Sequence, residues 1–172
     1  MADYLQEALS ATRRAFVAAH AHPFLVCDGV LDKPGKPGKT ASFDPLEATT
    51  TVPGRGGARD REKDKPHPLL LLAVRKVIGT FPNMITVGRT ANNDIVVPDV
   101  SVSKFHAWFQ RSGQKIEIGD AGSKNGTRAN DVALAPRGAL MLVKLGDRLR
   151  FGRIEFALVD AGAAWDAVER RR

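Results

Sequence analysis

Three short clusters of small, polar and cationic residues stand between residues 87 and 130. They are Gly88-Arg89, the sequence Ser-Lys-Phe-His at 103–106 and the sequence Ser-Lys-Asn-Gly-Thr at 123–127. Each cluster lies between apolar runs of the kind that form β-strands. Arg presents a planar fork of N–H donors, Lys a compact positive charge and Ser a short hydroxyl donor. We therefore expect these clusters to be loops that meet around an anion at one end of a β-sandwich.

Short strand-like runs separated by turn residues fill the region that carries these clusters. They begin at Leu69 and recur at roughly ten-residue spacing. Apolar and polar residues alternate at 115–118 and at 148–151. Glycines that mark turns are Gly113, Gly119, Gly146 and Gly152. This pattern predicts an all-β sandwich rather than alternating strands and helices.

The ordered set of clusters resembles the forkhead-associated (FHA) domain over about residues 69–160. Asn93-Asp94, Pro98-Asp99, Asp120 and the sequence Gly-Asp-Arg-Leu-Arg-Phe-Gly at 146–152 also match. The resemblance implies an FHA-type β-sandwich of about eleven strands, whose loops at one end bind phosphothreonine peptides.

The resemblance also implies a role for each residue of the clusters. The residues expected to contact the phosphate are Arg89, Ser103, Lys104 and Lys124. The residues expected to contact the peptide are Asn125, through the main chain beside the phosphothreonine, and Asn130, which matches a family asparagine with a part in either ligand or loop hydrogen bonding. The residues expected to hold the loops in place are Gly88, His106, Gly126 and Thr127.

Phosphothreonine suits this donor set, because it carries close to two negative charges and three acceptor oxygens. Each hydrogen bond to a charged group contributes about 1.5–3 kcal/mol. Two or three such bonds would therefore make phosphorylation a binding switch. The expected function is a phosphothreonine-dependent protein–protein interaction module in Ser/Thr kinase signalling, with a kinase or its substrate as the partner.

The remainder of the chain divides by composition. Residues 3–20 repeat apolar side chains with helical period, which predicts one N-terminal amphipathic helix with Asp3 as its N-cap. Residues 22–26 are expected to add an edge strand or to dock in a groove. The predicted organisation is 1–32 N-terminal helix and short extended segment, 33–68 flexible Pro/Gly-rich linker, 69–160 FHA domain, and 161–172 C-terminal tail anchored by Trp165.

Three threonines in the predicted linker, Thr49, Thr50 and Thr51, are candidates for phosphorylation. Some regulators of the FHA family carry a phosphorylatable threonine stretch ahead of the domain, and it folds back into their own pocket. The resemblance therefore implies auto-regulation of this kind, and unmodified linker residues are the alternative.

Enzyme and metal-binding classes find no support in the sequence. Ser101 and Lys104 match the Ser-x-x-Lys pattern of serine hydrolases, but the further partners of that chemistry are missing. The triplet at 38–40 lacks the first glycine of a phosphate-binding P-loop. His20 and His22 have no third ligand nearby in sequence. We expect no catalytic activity, no metal and no cofactor.

Charge leaves two other functions open. The net charge of +7 allows nucleic acid as a partner, but Phe105, Trp108 and Phe109 are expected in the core rather than as stacking platforms. An FHA fold that acts as a scaffold without phosphate dependence is the other alternative.

The sequence contains no apolar run of about 18 residues and no secretory signal, and its lone cysteine, Cys27, suits a reducing compartment. We therefore expect a cytoplasmic protein without membrane contact, and the oligomeric state stays open.

Overall fold

The computed structural model describes residues 3–27, 69–79 and 81–172. Within these ranges the chain forms eleven strands and three helices. The strands are β1 Phe24–Cys27, β2 Leu70–Ala73, β3 Ile85–Gly88, β4 Ile95–Val96, β5 Ala107–Ser112, β6 Lys115–Asp120, β7 Thr127–Ala129, β8 Val132–Ala133, β9 Met141–Val143, β10 Arg148–Phe151 and β11 Ile154–Val159. The helices are α1 Tyr4–Ser10, α2 Arg13–Ala19 and α3 Ala161–Glu169.

The strands form two packed sheets, which confirms the predicted all-β sandwich. One sheet has the order β2-β1-β11-β10-β7-β8, and the other has the order β4-β3-β5-β6-β9. Their facing sides meet in a core that includes the fully buried Phe109, Phe151 and Leu149. The alternation that marks 148–151 in the sequence is visible here, because Leu149 and Phe151 face the core and Arg148 and Arg150 face outward.

The first strand lies inside the six-stranded sheet. β1 pairs with β11 on one side and with β2 on the other, and all four of its residues are buried. The expectation that residues 22–26 form an edge strand or dock in a groove is therefore wrong. The reason is that both faces of β1 are covered: Leu25 belongs to the core between the sheets, and Phe24 packs beneath the helices. The predicted boundary at residue 32 and the predicted linker over 33–68 lie outside the described residues.

The N-terminal segment forms two short helices instead of the one helix predicted over 3–20. Asp3 caps α1 by accepting from the N–H of Gln6 at 3.2 Å. The helix stops because Ala11 takes an extended conformation, with φ −92° and ψ 155°. Thr12 then caps α2 through its hydroxyl, which accepts from the N–H of Ala15. Trp165 of α3 donates its indole N–H to the carbonyl of Ala11 at 3.2 Å, so α3 is tied to this break.

The three helices cover the outer face of β1 and β2 and form a second apolar cluster there. Tyr4 and Phe16 pack against Phe24 with ring centroids 5.4 and 5.6 Å apart. α3 contributes small side chains such as Ala164, so it packs closely. An ion pair between Arg13 and Asp166, 2.9 Å long, joins α2 to α3. Among the helices of the described residues, none combines the length and the apolar character that crossing a lipid bilayer requires.

The aromatic residues near the second cluster divide between two sides of the sheet. Phe109 is fully buried, as expected, whereas Phe105 is 40% exposed. Phe105 stacks on Phe81 with ring centroids 6.3 Å apart, and Trp108 lies beside it. The prediction that Phe105 lies in the core is wrong, because this residue precedes β5 and faces the outer side of the sheet.

A buried carboxylate, Asp94, fixes the start of β4 to the segment before β3. It accepts hydrogen bonds from the backbone N–H groups of Val77, Ile78 and Thr86 at 2.6–2.8 Å, and it pairs with Lys76 at 2.8 Å. Burial by itself would raise the pKa of this carboxyl. The hydrogen bonds outweigh burial and lower the pKa from 3.8 to about 2. The ionised form of Asp94 is therefore part of the native structure.

We predict that Asp94→Asn destabilises the fold by about 3 kcal/mol at neutral pH, since it leaves Lys76 unpaired and points amide hydrogens at backbone donors. Because the pKa is lower in the folded chain than in the unfolded one, this stabilisation is complete above about pH 4 and is lost as pH falls toward 2. Urea unfolding of wild type and variant between pH 7 and 2 measures the free energy of unfolding of each protein. The difference between the two free energies should decrease by roughly 2 kcal/mol over this pH range.

The exposed acid Asp131 provides the matched control, because its carboxylate has no hydrogen-bond partner in the described part of the chain. Asp131→Asn should leave the free energy of unfolding at pH 7 unchanged. Equal stability of Asp94→Asn and wild type at pH 7 would contradict the assignment.

Candidate functional site

The three predicted clusters meet at one end of the sandwich. They occupy the β3–β4 loop, the β4–β5 loop and the β6–β7 loop. The backbone N–H of Arg89 donates to the carbonyl of Ser103 at 2.9 Å, which joins the first loop to the second. The backbone N–H of Lys124 donates to the Ser103 hydroxyl oxygen at 3.0 Å, which joins the second to the third. We call this end of the molecule the loop end.

Gly88 stands where the first two loops come closest. A Cβ atom at this position would lie 2.2 Å from the carbonyl oxygen of Lys104 and 2.7 Å from the side chain of Asn93. Asn93 is buried and donates to the carbonyls of Lys104 at 2.7 Å and Thr90 at 2.9 Å. Any side chain at residue 88 would therefore separate the loops. The sequence shows that Asn93 matches the FHA pattern but does not show its role, since that role depends on the carbonyl of Lys104, eleven residues away.

His106 joins the second loop to the third through both ring nitrogens. Nδ1 accepts from the backbone N–H of Ser103 at 2.9 Å, so Nε2 carries the proton and donates to the carbonyl of Gly126 at 3.1 Å. The ring is fully buried. Burial lowers the pKa of His106, although the bond to Gly126 and the nearby carboxylate of Asp120 act in the opposite direction. A neutral imidazole thus connects the loops that carry Ser103 and Lys124.

Asp120 organises the β6–β7 loop. Its carboxylate accepts from the hydroxyls of Ser123 at 2.6 Å and Thr127 at 2.5 Å, and from two backbone N–H groups. Burial would raise the pKa of Asp120, but these hydrogen bonds outweigh it and hold the pKa below its usual range. Gly126 completes the turn with φ +79°, a backbone conformation that favours glycine.

The side chains expected to contact phosphate are available at this end. Arg89, Lys104 and Lys124 are exposed, and their side chains have no hydrogen-bond or ion-pair partner within the described part of the chain. The Ser103 hydroxyl oxygen accepts one hydrogen bond, and its hydrogen has no acceptor among the described residues, so it is available to a ligand. Residues 88–93, 103–105 and 122–126 include no Asp or Glu. The arrangement can attract and hydrogen-bond an anion with several oxygens.

Asn125 is held at the rim of the site by a series of contacts. Its amide nitrogen donates to the carbonyl of Ser101 at 2.7 Å. Ser101 in turn donates its backbone N–H and its hydroxyl to Asp99 at 2.8 and 2.7 Å. Arg153, in the β10–β11 turn, pairs with Asp99 at 2.7 Å. The sequence does not reveal Arg153, because its partner stands far away in the chain.

Comparison with known proteins agrees with this geometry. The family model described as FHA domain matches residues 85–152, which contain all the loops above. The chain contains an FHA domain.

Relatives of this FHA domain include proteins called oxoglutarate dehydrogenase inhibitor. The one from Corynebacterium jeikeium is 36% identical over 73 residues, which is 42% of this chain and 48% of that protein. The one from Corynebacterium glutamicum is 37% identical over 79 residues, which is 46% of this chain and 52% of that protein. The chain thus spans about half the length of these relatives. Among solved structures, the FHA domain of the protein CT664 from Chlamydia trachomatis is 24% identical with a TM-score of 0.44, covering 55% of this chain and 87% of that one.

Asn130 does not lie with the other predicted site residues. It follows β7, at the end of that strand away from Gly126, and has φ 46°. Its side-chain oxygen accepts from the backbone N–H of Arg148 at 2.9 Å. At about 3.3 Å per residue, Asn130 lies about 10 Å beyond Thr127. Asn130 therefore links the β7–β8 turn to the start of β10 through its bond to Arg148.

The two histidines considered as metal ligands contact other groups. His20 bonds to Glu7 at 2.9 Å, and its ring packs against Phe16. Over residues 3–27, 69–79 and 81–172, no group of three or more His, Cys, Asp or Glu side chains is arranged to hold a metal.

We predict that His106 keeps a proton on Nε2 and none on Nδ1 at pH 7. We also predict that its second protonation requires a pH below the ordinary histidine pKa of about 6.5. Because the unfolded chain binds this proton more readily, the contribution of His106 to stability decreases as pH falls below about 6.5. The ¹⁵N chemical shifts of the two ring nitrogens during a pH titration measure both statements. A protonated Nδ1 at pH 7, or an ordinary titration near 6.5, would contradict them.

Proposed function

We propose that the FHA domain of this chain binds phosphothreonine-containing proteins in Ser/Thr kinase signalling. The observation that carries the proposal is the meeting, at the loop end, of three cationic side chains and a hydroxyl hydrogen that have no partner within the described residues, in segments 88–93, 103–105 and 122–126 that contain no Asp or Glu. The partner would be a Ser/Thr kinase or one of its substrates.

Each side chain has a distinct part in the proposed complex. Arg89 would hold two phosphate oxygens with its planar guanidinium. Ser103 would donate its hydroxyl hydrogen to a phosphate oxygen. The position of Ser103 depends on His106 and on the N–H of Lys124. Lys104 and Lys124 would add positive charge that lies closer to solvent. The charge of the ligand therefore decides binding, because an unmodified threonine offers these donors one neutral hydroxyl.

Asn125 would set the register of the peptide. Its amide uses one N–H on Ser101, which leaves the second N–H and the carbonyl oxygen for a ligand. A donor and an acceptor on one planar group match the N–H and C=O of an extended peptide main chain. Because Arg153 and Asp99 fix Ser101, the direction of this amide is set before binding.

We predict that Arg89→Ala weakens binding of a phosphothreonine peptide by about 10- to 100-fold, and Ser103→Ala by about tenfold, since each removes a hydrogen bond to a charged group. Fluorescence anisotropy with peptides selected from a phosphothreonine library measures this. Arg171→Ala, an exposed arginine at the C-terminus, is the matched control and should bind as wild type does.

Equal affinity of Arg89→Ala and wild type would disprove the proposed site. Equal affinity for phosphorylated and unmodified peptide would favour a scaffold without phosphate dependence. Binding of single-stranded DNA or RNA that is insensitive to Arg89→Ala but sensitive to salt would favour a nucleic-acid partner.

The names of the Corynebacterium relatives add one partner to this assay. Both are called oxoglutarate dehydrogenase inhibitors, so we include that dehydrogenase among the candidate partners of this chain.

We further propose that phosphorylation of Thr49, Thr50 or Thr51 regulates the site. These threonines lie between β1 and β2 in the chain, and not ahead of the whole sandwich as the sequence suggests. The place where that connection leaves and rejoins the fold supports the proposal. Cys27 at the end of β1 pairs with Leu70 at the start of β2.

Both of these strand ends point toward the loop end. β11 begins at Ile154, next to the turn of Arg153 that contacts Ser101, and β1 runs antiparallel to β11. β1 is three strands from β7 in the sheet, which is about 14 Å at ordinary strand spacing. About 20 residues lie on either side of the threonines, and a chain of that length has an average reach of about 25 Å. The tether would raise the local concentration of the modified threonine to the millimolar range.

We predict that kinase treatment of the chain, with modification mapped to Thr49–Thr51, lowers its affinity for an external phosphothreonine peptide at least tenfold. The variant with all three threonines changed to alanine should retain full affinity after the same treatment. Unchanged affinity of the modified wild type would exclude auto-regulation, and the result with Arg89→Ala would still decide the binding site itself.

A further inference from the structure

A cleft of about 1090 Å³ lies at the end of the sandwich opposite the loop end. Its walls come from α2, the start of α3, the β5–β6 hairpin and the β9–β10 turn. β5 begins beside His106 and runs for six residues to the hairpin, so the cleft is about 17 Å from the phosphate site. We call it the basal cleft. Both helices lie outside residues 85–152, so this cleft is not built by the matched family region alone.

Positive charge dominates the lining of the basal cleft. Arg111 and Lys144 are exposed and have no ion-pair partner in the described part of the chain. Two more cations, Arg13 and Lys115, are neutralised by neighbours. The acidic side chain among the described lining residues is Asp160, whose carboxylate caps α3. An unpaired arginine and an unpaired lysine therefore face a ligand here.

Exposed aliphatic side chains stand beside these charges. Leu142 is 63% exposed, Leu145 48% and Val17 40%. Exposed aliphatic side chains grouped beside polar residues are typical of surfaces where a partner docks. A site for single-stranded nucleic acid would instead offer aromatic rings for base stacking, and the described lining includes no Phe, Tyr or Trp.

We propose that the basal cleft docks an acidic segment of a partner protein, with aliphatic side chains between its carboxylates. The carboxylates pair with Arg111 and Lys144, and the aliphatic side chains cover Leu142 and Leu145. A second copy of this chain fits poorly in a symmetric dimer through this face, because the same cations would meet each other. The chain then holds a partner at two ends, by phosphate at one and by acidic residues at the other.

The test uses the full chain labelled with ¹⁵N and two probes. One is the capped peptide Glu-Leu-Glu-Glu-Leu-Glu, and the other has lysine in place of each glutamate. The acidic peptide is expected to shift the amide resonances of Arg111, Lys144 and Leu145 in a saturable way. The double variant Arg111→Glu with Lys144→Glu should weaken this binding about tenfold or more.

The control variant Arg128→Glu with Arg171→Glu has the same net charge, and neither residue lines the cleft. It should bind the acidic peptide within about twofold of wild type. Arg89→Ala should also leave this binding unchanged, which separates the basal cleft from the phosphate site. If the double variant loses its fold by circular dichroism, Lys144→Glu alone, in an exposed turn, provides the same comparison.

Four outcomes would overturn the proposal. They are equal binding by the double variant and wild type, equal binding of the lysine peptide, shifts confined to residues outside the cleft, and a preference of the cleft for oligonucleotides, anionic vesicles or a second copy over the acidic peptide.

Discussion

The buried imidazole of His106 is the contact on which the loop end depends. It accepts from Ser103 and donates to Gly126, so a single neutral ring sets the distance between the loop with the serine and the loop with the asparagine. A lysine or arginine could not replace it, because neither can accept a hydrogen bond. Protonation would also disrupt the arrangement, since Nδ1 would then oppose the N–H of Ser103. Burial prevents this at neutral pH.

Buried carboxylates hold the other loops in the same way, each through hydrogen bonds from one side chain to several groups. Asp94 fixes the segment before β3, Asp99 fixes Ser101, and Asp120 fixes the β6–β7 loop. Each satisfies several donors with one side chain, and each is stabilised in its ionised form. Because these acids are used internally, none competes for Arg89 or Lys124. The structure thus keeps its negative charge inside the loops and leaves its positive charge for a ligand.

The loop end and the layer of helices differ in how they are built. At the loop end, hydrogen bonds to backbone groups hold irregular segments in position. On the outer face of β1 and β2, apolar packing of α1, α2 and α3 forms the surface, and Trp165 and Arg13 tie the helices together. β1 joins the helices to the sandwich, since one of its faces lies in the core of the sandwich and the other beneath the helices. Loss of β1 would therefore affect both the sandwich and the layer of helices.

The sequence by itself determined the strand-and-turn pattern and the three clusters, and its resemblance to the FHA domain implied supporting roles for Gly88, His106 and Thr127. The pattern and the clusters follow from residue type and short spacing, because each cluster is local and each alternation indicates a half-buried strand. It also indicated the helix N-cap at Asp3 and the turn at Gly126.

Only the tertiary structure decided the position of β1, which lies between two strands that are both distant in sequence. The same is true of Arg153 and Asp99, and of Trp165 and Ala11, because these contacts join residues far apart in the chain. Asn130 looks like part of the site in sequence, yet β7 carries it away from the loops. Phe105 looks like a core residue, yet its place before β5 turns it outward. Local patterns specify which residues can bind an anion, and the pairing of distant strands determines which of them meet.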